Sequence, residues 1–193
     1  MAQPLCTATV SRRALQRLLL AAAACSLPCA LLGAQLAPLP AGQPTEYQVK
    51  AAFLLNFTKF IEWPVSDQPA SSAPFTICIL GEDPFGPALD QIIEGETANG
   101  QRIAVQRSRR EPVKNCQLLY VDKAERGIPE ILTNVGRGVL TVGEGENFLR
   151  EGGMIAFVLE NRRVRFNINL PAARNASLKF SSKLLNVAKV VEQ

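Results

Sequence analysis

Histidine is absent from all 193 residues of the sequence. A Ser-His-Asp or Cys-His nucleophile is therefore excluded, and the usual zinc sites lose their most common ligand. The turn after the first predicted strand, GEDPFG at 81–86, has neither the G-x-G-x-x-G spacing nor the lysine of a Walker-type phosphate loop. The acidic pairs Glu82/Asp83 and Glu144/Glu146 are typical of solvated turns rather than of acid-base catalysis. We expect no catalytic residue, no cofactor and no metal ion.

Long apolar runs are confined to the start of the chain. Three arginines, Arg12, Arg13 and Arg17, precede the apolar stretch LLLAAAACSLPCALLGAQLA, and no acidic residue precedes Glu46. This order of a basic and then an apolar region is typical of a signal peptide, which we place at 1–34 and expect to be cleaved after export. A membrane anchor is the competing interpretation, but Pro28 interrupts the segment and no basic cluster follows it. We expect a periplasmic protein.

An excess of basic charge is lacking once the leader is removed. The leader carries three of the 21 basic residues and none of the 17 acidic ones. Binding to nucleic acid needs a basic face beyond this balance. The runs RSRR at 107–110 and RRVR at 162–165 are the two candidates, and each is more typical of a solvated loop or strand edge. We therefore expect no nucleic-acid partner.

Cysteine is scarce after the leader, where only Cys78 and Cys116 remain. In an oxidising compartment two such residues in separate strands are candidates for a disulfide, which would stabilise the fold by about 3 to 4 kcal/mol. The alternative is two buried free thiols that behave as small apolar side chains.

A proline-rich stretch at 35–44 is predicted to form an extended tether to a domain at 45–193. Thr45 and Gln48 have the spacing of a capping box, which predicts a helix that begins there and continues to Pro64. Apolar residues flank the main apolar stripe of this helix, so we expect it to be covered on more than one side. The stripe consists of Val49, Ala52, Phe53, Phe57 and Phe60, and the flanking residues are Leu54, Leu55 and Ile61.

Strands and helices alternate along the rest of the chain. The segments PFTICILG, RIAVQRS, CQLLYVD and GVLTVGEG are predicted strands, and PFGPALDQIIEG and IPEILTNVG are predicted helices. The segment GGMIAFVLENRRVRFNINL then predicts an antiparallel hairpin at the sheet edge, and a closing helix follows, with a break at Ser181-Ser182. We predict a single-domain α/β fold with a mostly parallel, Rossmann-like sheet flanked by helices.

Three segments carry a resemblance to a known family. YQVKAAFLLNFTKFIEWP at 47–64, ICILG at 77–81 and LTVGEGENFLREGGMIAFVLENRRVRFNINLPAARNASLKFSSKLLNVA at 140–188 closely resemble the YfiR-like family of bacterial periplasmic proteins. The resemblance covers about residues 45 to 191. It implies an α/β sheet flanked by helices and a regulatory protein without enzymatic activity.

The resemblance also implies partners. Such proteins bind and repress the periplasmic sensor domain of an inner-membrane diguanylate cyclase such as YfiN, and are sequestered by an outer-membrane lipoprotein similar to YfiB. Cyclic di-GMP falls when the cyclase is repressed and rises when the repressor is sequestered. The proteins of this family self-associate, so we expect a homodimer.

The family pattern is matched only in part by this sequence. Cys78 and Cys116 correspond to one family disulfide, whereas the second pair found in some members is absent. Asn175-Ala176-Ser177 stands where relatives often have glycine in a turn. Because a protein of this kind acts by binding, we expect aromatic anchors with rim charges on the first helix. The candidate partner-binding residues are Lys50, Phe53, Phe57, Lys59, Phe60 and Trp63.

Two other hypotheses belong to different classes. A small-ligand binding module serving another membrane sensor or receptor would place a pocket at the carboxyl ends of the parallel strands, near Gly81, Asp122 and Gly143. An exported enzyme would need a catalytic constellation that the sequence does not display.

Overall fold

The structure, a computed structural model, describes residues 43–64, 73–109 and 114–192, and its elements are numbered in chain order. The strands are β1 (Ile61–Glu62), β2 (Phe75–Leu80), β3 (Thr97–Ala98), β4 (Gln101–Ser108), β5 (Leu118–Val121), β6 (Leu140–Glu144), β7 (Ile155–Glu160), β8 (Arg163–Asn169), β9 (Lys179–Phe180) and β10 (Val190–Glu192). The helices are α1 (Glu46–Phe60), α2 (Pro87–Ile93), α3 (Ile128–Thr133), α4 (Glu146–Arg150), α5 (Leu170–Asn175) and α6 (Ser182–Val187). The predicted signal peptide lies outside these residues, as does the predicted tether up to residue 42.

An eight-stranded sheet in the order β10-β8-β7-β6-β5-β2-β4-β3 forms the centre of the fold. Strands β4, β2, β5, β6 and β7 run parallel, β7 and β8 form an antiparallel hairpin, and β3 pairs antiparallel with β4. The predicted α/β class and mostly parallel sheet are confirmed. The short strands β1, β3 and β9 and the helix α4 were not predicted, because each is too short to show a periodic apolar pattern.

Helix α1 begins where the sequence predicts but ends earlier. The Thr45 hydroxyl accepts from the backbone N–H of Gln48, and the Gln48 side chain accepts from the N–H of Thr45, so the capping box is present. The predicted continuation to Pro64 is wrong, because the chain leaves the helix at Ile61 in an extended conformation. Ile61 there pairs with Phe180 of β9. A strand partner distant in sequence therefore ends this helix before the proline does.

The buried face of α1 differs from the predicted stripe. The buried side chains are Lys50, Ala51, Leu54, Leu55, Phe57 and Thr58. Val49 and Phe53 are only partly buried, and Phe60 is 36% exposed. The prediction that apolar flanking residues are covered is confirmed by Leu54, Leu55 and Ile61. The predicted stripe, however, lies mostly at the margin of the surface where α1 contacts the sheet. Part of the stripe is therefore open to solvent.

The carboxyl-terminal segment departs from the prediction at two points. The hairpin lies only partly at the sheet edge, because β10 pairs parallel with the second half of β8, over Asn167 to Asn169. The closing helix is limited to α6, which begins after Ser181, and Val190–Glu192 is a strand. The break predicted at Ser181-Ser182 is confirmed, since the Ser181 hydroxyl caps α6 through the N–H of Leu184.

Each face of the sheet carries its own apolar core. The larger core lies beneath α1, α2, α5 and α6, with Tyr120, Phe157 and Phe166 among its largest fully buried side chains. The smaller core lies beneath α3 and α4 and contains Cys78 and Cys116. These two cysteines form a disulfide with a Cα–Cα distance of 5.9 Å. The bridge is therefore present, and the alternative of two free thiols is not. Among the described residues, no helix has the length and apolar character needed to cross a bilayer.

Candidate interaction surface

A groove lies between the first half of α1 and the tip of the β7–β8 hairpin, and we call it the hairpin groove. Its volume is about 510 Å³. One wall comes from the start of α1 and the other from the hairpin. The lining residues are Pro44, Glu46, Val49, Phe53, Leu159, Arg162, Arg163, Val164 and Arg165.

The floor of the hairpin groove is apolar. Leu159 and Val164 are directly opposite each other across the hairpin and lie on the face of the sheet that α1 covers. The Leu159 side chain is nevertheless 57% exposed. Phe53 is anchored from below, with its ring centroid 5.3 Å from that of Phe166 and 6.1 Å from that of Phe157. The groove thus presents a preformed apolar surface on a rigid base.

The rim of the groove is cationic. Arg162, Arg163 and Arg165 are exposed, and none of them forms a salt bridge within the described ranges. The acidic residue of the rim, Glu46, is already engaged, because its Oε1 lies 2.5 Å from Lys50 Nζ. The free charge around the groove is therefore positive.

The hairpin turn holds an arginine in an unusual backbone conformation. Asn161 and Arg162 form the two-residue loop, and both have positive φ, 49° and 60°. Such turns favour Asn at the first position and Gly at the second, since a side chain with positive φ meets steric strain. Arg162 occupies the position where glycine is favoured and directs a further positive charge to the rim.

A buried polar network lies next to the groove. Lys50 is 2% exposed, and its Nζ lies 2.9 Å from Glu144 Oε2 and 4.5 Å from the centroid of the Tyr47 ring. The Tyr120 hydroxyl donates to Glu144 Oε1 at 2.6 Å. The network joins α1 to the end of β6 and to β5. The spacing of Glu46 and Lys50 signals their i,i+4 pair, whereas nothing local to Glu144 indicates that it meets α1.

Burial and hydrogen bonding set the ionisation of this network. Burial by itself raises the pKa of Glu144, but hydrogen bonds from Tyr120 and Lys50 outweigh burial and leave that pKa below its ordinary value. Burial also raises the pKa of Tyr120, and the hydrogen bond to Glu144 raises it further. Tyr120 is therefore a neutral donor and Glu144 an ionised acceptor at physiological pH.

The sequence from Tyr47 to Lys189 matches the model of the YfiR/HmsC-like family, which is well over half of the chain. The chain belongs to the YfiR/HmsC-like family. Membership of this family suggests a periplasmic, regulatory and non-catalytic protein connected with diguanylate cyclase signalling. No curated protein matches the sequence.

A solved structure has a similar fold. It is a conserved domain protein from Vibrio cholerae O1 biovar El Tor strain N16961, with a TM-score of 0.50 and 8% sequence identity. The match covers 77% of this chain and 60% of that chain, so this protein spans about three fifths of the length of its neighbour. At this identity the similarity supports the fold of the YfiR/HmsC-like chain and nothing about its activity.

The candidate partner-binding residues of this YfiR/HmsC-like chain do not form one surface. Phe57 is fully buried and Lys50 is nearly so. The prediction of an aromatic anchor at Phe57 and of a rim charge at Lys50 is therefore wrong for the folded protein, because both side chains lie in the core. Lys59 is exposed, and its Nζ lies 2.9 Å from Glu96 Oε2. Of the six residues, only Phe53 lines the hairpin groove.

The two remaining candidates lie near the end of α1. Phe60 is 36% exposed, and Trp63 is partly buried, with its ring 5.0 Å from that of Phe75. The Trp63 indole N–H donates to the carbonyl of Gln117 at 3.0 Å. Trp63 therefore has a structural role in joining the segment after α1 to the residue before β5. Its contact with a partner stays a prediction.

A second cavity, of about 590 Å³, lies at the carboxyl ends of β5 and β6. Asp122 lines it, but Gly81 and Gly143, the other two residues predicted for a ligand pocket, do not. Asp122 is buried, and its carboxylate accepts from the backbone N–H of Ala124. The described parts of the chain contain no group of three or more residues of the types that could hold a metal ion.

Proposed function

We propose that this protein is a periplasmic repressor that binds the periplasmic sensor domain of an inner-membrane, YfiN-like diguanylate cyclase and so lowers cyclic di-GMP. Membership of the YfiR/HmsC-like family supports the signalling context. The observation that carries a binding role for this chain is the hairpin groove, whose apolar floor includes a leucine that is 57% exposed. Exposed apolar surface of this kind, rimmed by charge, is typical of a protein interaction site.

The proposed mechanism requires only differential binding. A protein without catalytic groups can switch an enzyme by binding its inactive conformation more tightly than its active one. To move the cyclase from 99% active to 99% inactive, the affinities must differ about 10⁴-fold. A preformed groove favours such affinity, because little conformational freedom is lost when the partner docks.

Two further partners belong to the same proposal. A YfiB-like outer-membrane lipoprotein would release the cyclase by sequestering the repressor. Self-association into a homodimer is the remaining partnership. The family supports both by analogy, and each is tested separately by pull-down and by sedimentation of the purified protein.

Deletion of the gene tests the function directly. We expect cyclic di-GMP and biofilm output to rise, and the cyclase to co-purify with the tagged protein. Unchanged cyclic di-GMP together with absence of any cyclase from the purified complexes would contradict the proposal.

Matched variants connect this function to the groove. Leu159→Asp introduces a charge into the apolar floor, and we expect it to reproduce the deletion phenotype. Val187→Asp is the control, because Val187 is equally exposed, at 57%, but does not line the groove. Equal repression by both variants would remove the groove from the proposal.

A small-ligand binding module is the second candidate. The cavity at the ends of β5 and β6 favours it, since ligands of open parallel sheets bind at this edge. Calorimetry of the purified protein with individual periplasmic metabolites tests it. Saturable binding without a protein partner would support this candidate.

A further inference from the structure

The geometry points to an extended segment of the partner, with alternating apolar and acidic residues, as the occupant of the hairpin groove. The inference rests on the proposed function, because the partner is the periplasmic domain of the cyclase. It adds the chemistry and the conformation of the segment that docks. Three features of the groove support it.

The first feature is an open strand edge. Strand β8 runs from Arg163 to Asn169, but β10 pairs with it only over Asn167 to Asn169. The half of β8 that lines the groove, Arg163 to Arg165, therefore has no strand neighbour on the side away from β7 within the described residues. An exposed edge of this kind can accept an additional strand from a binding partner.

The second feature is the alternation along β8. Val164 lies on the sheet face covered by α1, beside Phe53 and Leu159, whereas Arg163 and Arg165 lie on the opposite face. A strand added at this edge has the same two-residue period. Its apolar residues would meet the groove floor, and its acidic residues would meet the two arginines.

The third feature is the charge of the rim. Arg163 and Arg165 form no salt bridge within the described ranges. Glu160, which lies directly opposite Arg163 on the same face of the sheet, is engaged by Lys189, and Glu46 on the α1 side is engaged by Lys50. Arg162 adds a third cation at a turn position where glycine is the favoured residue. The three arginines together make this end of the hairpin cationic and complementary to an acidic segment.

The experiment measures the affinity of the purified protein for the periplasmic domain of its cyclase. The variants are Arg163→Glu/Arg165→Glu and Arg162→Gly, and the control is Arg102→Glu. Arg102 is an exposed arginine of β4, near the other end of the same sheet, and does not line the groove. We expect the double variant to weaken binding by more than about tenfold, Arg162→Gly by about threefold, and the control to leave affinity unchanged.

Folding and salt dependence accompany these measurements. Arg162→Gly suits the turn better than arginine, so its melting temperature should not fall, and a loss of affinity in this variant is not a loss of fold. Raised salt should weaken binding by the wild-type protein more than binding by the double variant.

Each outcome decides between the two proposals. If the wild-type protein binds the cyclase domain and the arginine variants bind equally well, this inference is wrong and the proposed function stands. If the wild-type protein does not bind the domain, both are wrong. If the arginines instead direct binding to vesicles of phosphatidylglycerol and not to the cyclase domain, an anionic membrane is the occupant and this inference is overturned.

Discussion

Lys50 Nζ lies 2.9 Å from Glu144 Oε2, inside the protein, and this contact fixes the first helix to the end of a central strand. The lysine is 2% exposed and the glutamate 13%. Desolvation of two charges is costly, so such a pair is stable only when further hydrogen bonds satisfy both groups. Glu46 and Tyr120 provide them. The contact also holds the α1 wall of the hairpin groove in place.

Replacing Lys50 should therefore destabilise the fold strongly. Lys50→Met leaves the largely buried Glu144 carboxylate without its cation, and we expect a loss of about 3 kcal/mol in the free energy of unfolding, measured by urea titration. Lys59→Met is the matched control, since the Lys59–Glu96 pair is exposed and should contribute less than about 1 kcal/mol. Equal losses in the two variants would contradict a structural role for the buried pair.

Glu144 should make stability dependent on acid pH. Its pKa in the folded protein lies below its ordinary value of 4.5, so the folded state binds the proton less readily than the unfolded state. The resulting stabilisation is present above pH 4.5 and is lost as the pH falls through the folded pKa. The melting temperature of the wild-type protein should exceed that of Glu144→Gln near neutral pH, and the difference should shrink below pH 4.5. A constant difference across this range would contradict the prediction.

Gly143 and Gly153 should tolerate no side chain, because both lie against the Phe148 ring. A Cβ at Gly143 would lie 2.5 Å from Phe148, and one at Gly153 would overlap the same ring. Neither glycine has positive φ, so the obstacle is packing alone. We expect Gly143→Ala to lower the free energy of unfolding by about 1 to 3 kcal/mol. Gly136→Ala, which meets open space, should be neutral.

The disulfide should contribute a large share of the stability. It links residues 38 apart, which corresponds to about 4 kcal/mol on the chain-entropy estimate. We expect Cys78→Ala/Cys116→Ala to lower the free energy of unfolding by a similar amount, which is seen as a lower urea midpoint. Dithiothreitol should lower the urea midpoint of the wild-type protein in the same way. Reductant should not change the midpoint of a double variant that lacks the leader cysteines. This variant contains no cysteine, so a shift of its midpoint would show that dithiothreitol does not act through the disulfide.

Local signals predicted the elements whose determinants are local. The capping box at Thr45 and Gln48 marked the start of α1, and the serine pair marked the start of α6. The end of α1 could not be predicted in this way, because the pairing of Ile61 with Phe180 joins residues far apart in the sequence. Proline was the nearest visible stop signal and lies four residues beyond the last helical residue.

The candidate site shows more clearly how little of the tertiary structure local sequence signals can predict. Helical periodicity grouped Phe53 with Phe57, but only the position of the hairpin decides that Phe57 is buried and that Phe53 lines an open groove. Similarly, RRVR at 162–165 was predicted to be a solvated loop or strand edge, and its three arginines are exposed, but its proximity to α1 is a tertiary property.

The sequence by itself determined the α/β class, the mostly parallel sheet, the start of the first helix and the family, because apolar periodicity, cap chemistry and long motifs are encoded within short segments. Only the tertiary structure decided that Lys50 is a core residue, that β10 covers half of β8, and that apolar and cationic side chains meet in one groove. These properties depend on contacts between segments that are separated along the chain, such as Lys50 with Glu144 or Val190 with Asn167, and the local pattern around either partner carries no information about the other.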